Sequence, residues 1–204
     1  MKRGKGKLAL KIAVIGFAVL ALGGCSWSGQ ASHVNASQEN AFDPMVASIQ
    51  QDGQFVVGGL PWLISKQEVL GKLQPDRVQS DSGDKLVAEG RLPLDASVKQ
   101  TVIYHFQDDQ LVSGEYLFTT TDQSRFAQLS QELKGLLSRS LPEPQVNSTA
   151  VLDQAGESAQ QGSSVGWQGP DRSQLRVNVL MTEEQQYLLQ IQIASPLPER
   201  QSLN

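Results

Sequence analysis

The sequence predicts an α+β fold in which an antiparallel sheet is packed by two helices. Short runs of alternating apolar and polar residues in the C-terminal half are typical of strands with one face in water. Two other segments carry the caps and the three-and-four apolar spacing of helices. About 140 residues are left for this domain, which is enough for a single core.

The N-terminus has three zones that are typical of an export signal. Five basic residues are followed by the uncharged apolar run Ile12–Leu22 and then by Leu22-Gly23-Gly24-Cys25. A membrane-spanning helix needs about 20 apolar residues, so a signal peptide over residues 1–24 is favoured over a short transmembrane anchor. The tetrapeptide resembles the lipobox of bacterial lipoproteins. That resemblance implies cleavage before Cys25 and lipidation of its sulfur by a diacylglyceryl group carrying chains such as palmitate.

The predicted mature chain has 12 basic and 21 acidic residues, a formal charge of −9. This balance argues against nucleic acid as a partner, since phosphate binding needs basic surface. The expected partners are a membrane, through the lipid on Cys25, and another envelope protein. Because Ser26 follows the cysteine, the expected location in a Gram-negative host is the outer membrane, facing the periplasm. Cys25 is the only cysteine, so no disulfide within the molecule is expected.

Residues 25–54 are predicted to be the lipidated cysteine and a flexible tether, because their first part is rich in Ser, Gln, Asn and Ala. Asp43-Pro44 nevertheless matches a helix start, which leaves open a short helix to about Gln50. The α+β domain is expected over residues 55–195, and a frayed tail over residues 196–204.

A capping box at Ser65-Lys66-Gln67-Glu68 predicts the first helix, from Lys66 to about Leu73. Three strands come after it, of which the last two form a hairpin around the turn Asp108-Asp109. Their expected ranges are Leu86–Leu92, Thr101–Phe106 and Leu111–Phe118. In the last strand Val112, Tyr116 and Phe118 are expected on one face.

Five apolar residues spaced by three and four predict the second helix, over residues 122–139, with Thr121 or Asp122 as its cap. A polar stretch from Val146 to Gly162 predicts a mobile loop. Three more strands complete the sheet, with alternating apolar residues in the last two. Their expected ranges are Ser163–Gln168, Leu175–Met181 and Tyr187–Ala194.

The element order reads helix, three strands, helix, three strands, which is compatible with a tandem αβββ duplication or with chance. The stretch Ser65–Leu73, together with Tyr104-His105-Phe106 and Leu111, resembles the BamE-type lipoproteins and the β-lactamase-inhibitor-protein architecture. The first family helps to assemble outer-membrane barrels, and the second is a pair of αβββ units. The resemblance implies the fold only. The chain departs from the family pattern at Leu73-Gln74-Pro75, which lacks the usual glycine.

No catalytic, metal or cofactor motif is evident. The predicted domain holds one histidine, His105, which is expected to be structural or to lie on the wet face of its strand, because a triad or a zinc site needs further groups. Asp108-Asp109 is interpreted as a turn rather than a calcium ligand. The sequence therefore predicts a protein that is not an enzyme and needs no cofactor or metal.

Leu60-Pro61-Trp62 is the candidate partner-binding set, because this loop precedes a helix and exposed tryptophan often anchors partners. The competing interpretation places Trp62 and Trp167 in the core. Trp27 is expected at the membrane interface. The leading hypothesis is a binding or assembly module for an envelope protein. The alternative is a binder of a cell-wall or lipid ligand in a cleft between helix and sheet.

Overall fold

A computed structural model describes the fold for residues 40–196. The predicted signal peptide, Cys25, Trp27 and the tail from residue 197 lie outside the described residues. The elements in chain order are α1 (Asp43–Ile49), β1 (Gln50–Gln51), β2 (Gln54–Phe55), α2 (Lys66–Lys72), β3 (Val78–Ser82), β4 (Lys85–Glu89), β5 (Lys99–Gln107), β6 (Gln110–Thr120), α3 (Gln123–Ser140), α4 (Ala155–Gln161), β7 (Ser163–Gln168), β8 (Gln174–Met181) and β9 (Tyr187–Ala194).

Strands β3 to β9 form one antiparallel sheet in the order β3-β4-β5-β6-β9-β8-β7, and β1 and β2 form a separate hairpin. The α+β class is therefore confirmed. At the centre of the sheet β6 pairs with β9, so that the final strands of the two halves meet there. The order of β4 to β9 is symmetric about this pair, as two αβββ units would be. Strand β3 and helix α4 have no counterpart in the other half.

The two predicted helices are present, and both begin at their predicted caps. The Ser65 hydroxyl accepts from the Glu68 N–H, while a Glu68 carboxylate oxygen accepts from the Ser65 N–H at 2.9 Å. The Asp122 carboxylate accepts from the N–H groups of Ser124 and Arg125 at 2.8 and 3.0 Å. Each cap satisfies N–H groups that a helix start leaves without a partner, which fixes where α2 and α3 begin.

All four helices pack on the same face of the sheet and share one core. Helix α3 contributes Phe126, Leu129, Leu133 and Leu137, each without exposed surface. The other face of the sheet, called here the open face, carries the alternate residues of the strands, among them His105 and Glu115. This division explains the alternation in the sequence, since only one face of each strand is covered.

The domain begins earlier than the sequence predicted. Phe42, Met45, Val46 and Ile49 are buried in the core, and the Phe42 ring meets the Phe118 ring edge-on at a centroid distance of 5.2 Å. The prediction of a flexible tether over residues 25–54 is therefore wrong from residue 40 onward. The four residues have the three-and-four spacing of a helix face. Their burial stabilises the helix, although the residues around them in the sequence are mostly polar.

The predicted loop at Val146–Gly162 is also more ordered than expected. It contains a 3-10 turn, Thr149–Leu152, and helix α4. Leu152, Ala155 and Ala159 are buried against α3 and the second half of the sheet. Small alanine side chains allow close packing but give a weak hydrophobic signal, which is why the sequence did not reveal this helix.

Two strand details differ from the prediction. A bulge between His105 and Phe106 shifts the pairing of β5 with β6, so that Leu111 is buried and Val112 is not. Val112 therefore does not share the face of Tyr116 and Phe118, because the extra residue reverses the alternation. Strand β3 was not predicted, since its sequence, VQSDS, is polar and mostly exposed.

Candidate functional site

The segment Val57–Trp62 is inserted against the helix-covered face of the sheet. Val57 is fully buried and lies on Gly114, where an added Cβ would come within 2.6 Å of Val57 Cγ2. The Gly58 N–H donates to the Tyr116 hydroxyl at 2.7 Å, and Gly58 has a φ of 60° that glycine adopts without strain. Two glycines thus fix the base of the loop, namely Gly114 on strand β6, which makes room for Val57, and Gly58 within the loop.

The three candidate partner-binding residues occupy different environments. Leu60 is buried in the core, whereas Pro61 is exposed. Trp62 is half-buried, and its indole N–H donates to the Phe55 carbonyl at 2.9 Å. Trp62 therefore combines the two interpretations made from sequence, since one part packs on the core and another part reaches the surface. Trp167 is buried, with its N–H donating to the Pro142 carbonyl at 2.9 Å.

Leu63, which the sequence did not single out, is the most exposed large apolar residue of the described chain, at 58 %. Its φ of 66° places it in the left-handed region, which is strained for a side chain of this size. The Leu63 N–H donates to the Leu111 carbonyl at 3.0 Å, and the Leu111 N–H donates to the Ile64 carbonyl at 2.9 Å. These bonds hold the backbone in place while the side chain stays in water.

Trp62 and Leu63 form one side of a cleft of about 650 Å³ at the end of the sheet. Val112 and Pro196 add apolar surface, and most of the other lining groups are polar. The polar lining consists of Gln54, Gln107, Asp108, Gln110, Asp171 and Ser195. A cleft of this size and mixed composition can accept a small molecule or a few side chains of a protein partner.

Asp171 at this cleft is incompletely hydrogen-bonded. Its Oδ1 accepts from the N–H and the hydroxyl of Ser173 at 2.9 and 2.5 Å. Its Oδ2 is buried and has no hydrogen-bond partner within the described chain. The turn that carries it is tied to the β1–β2 hairpin, because the Phe55 N–H donates to the Ser173 hydroxyl at 2.8 Å. The cleft is therefore built on a hydrogen-bonded frame.

A row of polar side chains crosses four strands of the open face. His105 Nε2 lies 2.9 Å from one oxygen of Glu115, and the Gln190 amide donates to the other at 2.6 Å. The Asn178 amide in turn donates to the Gln190 carbonyl oxygen at 2.9 Å. The hydrogen bond from His105 is the main reason that the pKa of Glu115 is lowered, with Gln190 adding to it.

His105 is thus half-buried on the open face and hydrogen-bonded to Glu115, in agreement with its expected place on the strand. The nearest described side chains in the row are an acid and two amides, with no serine, threonine or cysteine bonded to the imidazole. A nucleophile activated by histidine needs such a contact. The row is therefore better explained as a cross-strand network that orders the open face.

Comparison of the chain with protein-family models, with curated proteins and with solved structures finds no significant match. Among the helices in residues 40–196, none combines the length and the apolar character needed to cross a bilayer.

Proposed function

We propose that the protein is a lipid-anchored envelope lipoprotein that binds another envelope protein and catalyses no reaction. The export signal and the Leu22-Gly23-Gly24-Cys25 motif support attachment through a lipid on Cys25. In a Gram-negative host this lipid would place the domain on the outer membrane, facing the periplasm. The likeness of α2 and the β5–β6 hairpin to BamE-type lipoproteins stays a prediction and identifies no partner.

One observation carries the binding proposal, namely the exposed Leu63 beside Trp62 at the mouth of the cleft. An apolar side chain in water next to an aromatic one is the arrangement that protein partners use as an anchor. The left-handed backbone of Leu63 costs stability, and strain of this kind is retained where it serves a site. The open face alongside the cleft adds polar groups of the kind that surround such anchors.

A photo-crosslinking amino acid at position 63, introduced into the full chain in the native host, tests the proposal. The same group at Val146 is a matched control, because Val146 is the other exposed large apolar residue within residues 40–196, at 44 %. We expect one discrete protein adduct from position 63 and none of that mass from position 146. Leu63→Asp should prevent co-purification of the adducted protein. Equal adducts from both positions would count against a specific site.

Lipidation has an independent test. Metabolic labelling with a palmitate analogue should mark the wild-type chain, and Cys25→Ser should abolish the label. Labelling that persists in Cys25→Ser would remove the membrane anchor from the proposal without affecting the binding site.

The alternative function, binding of a cell-wall or lipid ligand, is supported by the size of the cleft, since about 650 Å³ is within the range of small-molecule sites. The cleft lies at the end of the sheet, and the space between α3 and the sheet is filled by buried side chains. Titration of the full chain with muropeptides or with phospholipid micelles would distinguish the two functions. Saturable binding that Trp62→Leu weakens would favour the alternative over a protein partner.

A further inference from the structure

A second pocket, of about 200 Å³, lies under α1 at the other end of the helix-covered face. It shares no lining residue with the cleft at Trp62. Two guanidinium groups line it, those of Arg77 and Arg91, and no acidic residue does. Because the predicted mature chain has an excess of acids, a cavity lined only by cations and neutral groups stands out.

The two arginines differ in how their charge is balanced. Arg91 Nη2 forms an ion pair with Asp76 at 2.7 Å. The half-buried Arg77 has no carboxylate at ion-pairing distance within the described chain. The Glu89 side chain lies at an open-face position, because Glu89 pairs with Thr101. Within residues 40–196, one positive charge at this pocket is therefore not balanced by an acid.

The guanidinium of Arg77 is held in place by two hydrogen bonds. Its Nε and Nη2 donate to the Glu89 carbonyl at 3.1 and 2.6 Å, which fixes the plane of the guanidinium. Nη1 makes no hydrogen bond to the described chain. The edge of the guanidinium between Nη1 and Nη2 is therefore left for a further acceptor. A fork held in this way is suited to a carboxylate, which can accept two parallel hydrogen bonds.

The rest of the pocket is mostly apolar. The Tyr116 hydroxyl is already bonded within the protein, because it accepts from the Gly58 N–H and is hydrogen-bonded to the Ser48 side chain. Met45, Leu92, Val102 and Phe118 supply apolar walls. A ligand that matches this lining has one negative charge on a short apolar body, since a phosphate dianion would exceed the single uncompensated cation.

We propose that this pocket binds a small monocarboxylate, with Arg77 holding the carboxylate and the apolar walls holding the group next to it. The carboxylate can belong to a free short-chain acid or to the C-terminus of a peptide. The two sources share the chemistry of the site and differ in the group attached to the carboxylate, which is an alkyl chain in the acid and an amide-bearing carbon in the peptide.

Ligand-detected NMR on the full chain in non-ionic detergent tests this proposal with butyrate, N-acetylalanine, N-acetylalanine amide and inorganic phosphate. We expect saturable binding of at least one of the two carboxylates and none of the neutral amide. Tighter binding of N-acetylalanine would identify a peptide terminus as the source, and tighter binding of butyrate a free acid. Failure of both carboxylates, or binding of phosphate alone, would overturn the proposal.

Variants assign the binding to the pocket. Arg77→Gln should weaken it at least about tenfold, and Arg77→Lys by about threefold, because lysine keeps the charge but loses the planar fork. Ser48→Leu should block the pocket from the α1 side without touching the bonds from Arg77 to Glu89. Arg139→Gln, at an exposed position on α3, is the matched control and should bind as the wild type does. Binding that survives both Arg77→Gln and Ser48→Leu would place the ligand elsewhere and refute the assignment.

Discussion

The contact between Gly114 and Val57 shows how a single missing side chain positions the candidate binding loop. Strand β6 has no side chain at this position, and the fully buried Val57 occupies the space. This contact fixes the start of the loop, and the hydrogen bond from the Gly58 N–H to the Tyr116 hydroxyl adds to it. A side chain at residue 114 would have to displace the loop or the strand.

Gly114→Ala is expected to lower the free energy of unfolding by about 3 kcal/mol, because the new methyl group overlaps Val57. Gly135→Ala is the matched control, since a Cβ there meets no atom closer than 3.6 Å. It should raise the free energy of unfolding by about 1 kcal/mol, as alanine favours the interior of α3. Urea denaturation measures both. Similar losses of stability in the two variants would show that the close approach of Val57 is not what makes position 114 sensitive to an added methyl group.

The left-handed backbone that exposes Leu63 is expected to lower the stability of the fold. Leu63→Gly should raise the free energy of unfolding by about 0.5 kcal/mol, because the relief of left-handed strain exceeds the freedom that glycine adds to the unfolded chain. Val146→Gly should instead lower it by about 1 kcal/mol, since Val146 has an ordinary φ and glycine adds freedom to the unfolded chain. Thermal unfolding distinguishes the two signs. A loss of stability in Leu63→Gly would mean that the backbone at residue 63 stores no strain.

Glu115 should make the stability of the domain depend on pH. Its pKa is lowered in the folded state, so its contribution is present above the ordinary pKa of 4.5 and is lost as pH falls through the folded value. Glu115→Gln should cost about 1 kcal/mol near pH 7, and this cost should shrink progressively as pH falls below 4.5. Glu143→Gln, at an exposed loop position, should leave the profile unchanged. A constant difference between wild type and Glu115→Gln across this range would contradict the assignment.

At the residue scale the sequence singled out the loop that ends at Trp62 but not the exposed side chain of Leu63 next to it. Gly58-Gly59-Leu60-Pro61-Trp62 indicated a turn with an aromatic residue. The exposure of Leu63 depends on backbone bonds to Leu111, far along the chain. That Arg77 has no acidic partner in the described part of the chain likewise depends on where β4 and α1 place their side chains. Local spacing carries no signal for contacts of this range.

Among the elements, helix α1 departs most from the prediction for the N-terminal region, because it lies within the predicted tether. Four apolar residues anchor it to α3 and β6, and the Asn40 amide donates to the Glu132 carbonyl at 3.0 Å. The chain beyond the predicted lipid is therefore ordered as early as residue 40. This helix also forms one wall of the pocket at Arg77, so that its position bears on both stability and binding.

Phe42→Ala is expected to lower the free energy of unfolding by about 4 kcal/mol, because it removes a fully buried ring. Ala47→Ser, on the exposed side of α1, should change it by less than about 0.5 kcal/mol. The measurement is urea denaturation of the full chain. If residues 25–54 were a tether throughout, both substitutions would be neutral.

The elements that the sequence predicted well are those with a local cause. The caps at Ser65 and Asp122 and the alternation in β8 and β9 are readable within a few residues. Strand β3 and helix α4 were missed because they are ordered by their neighbours. Strand β3 is held by pairing with β4, and α4 by small buried residues against β8 and α3.

At the scale of the whole molecule, the pairing of β6 with β9 joins the two halves in one sheet and one core. A single cooperative unit is expected, because neither half covers its apolar face without the other. Val177→Ala in β8 should therefore reduce the protection of β5 amides as much as that of β8 amides, by about 2 kcal/mol. Native-state hydrogen exchange measures this. A loss confined to β7, β8 and β9 would show that the halves unfold separately.

The fold class could be predicted from the sequence, whereas the order of the strands could not. Alternation tells which residues of a strand face the core, but it is the same for every partner strand. The central position of β9 depends on how the apolar faces of the two halves of the sheet fit together, and no local motif encodes it. For the same reason the site at the end of the sheet, which combines the Trp62 loop, the β5–β6 turn and Asp171, appears only once the halves are joined.

The central position of β9 also has a consequence for the order in which the protein can form. A chain that emerges from its N-terminus presents β3 to β6 well before residues 187–194 are made. Until then β6 has an unpaired edge, which is a template for pairing with a neighbouring molecule. The sheet closes only when β9 arrives, so a chain that stops before residue 187 would leave the β6 edge open and would aggregate rather than form a smaller working protein.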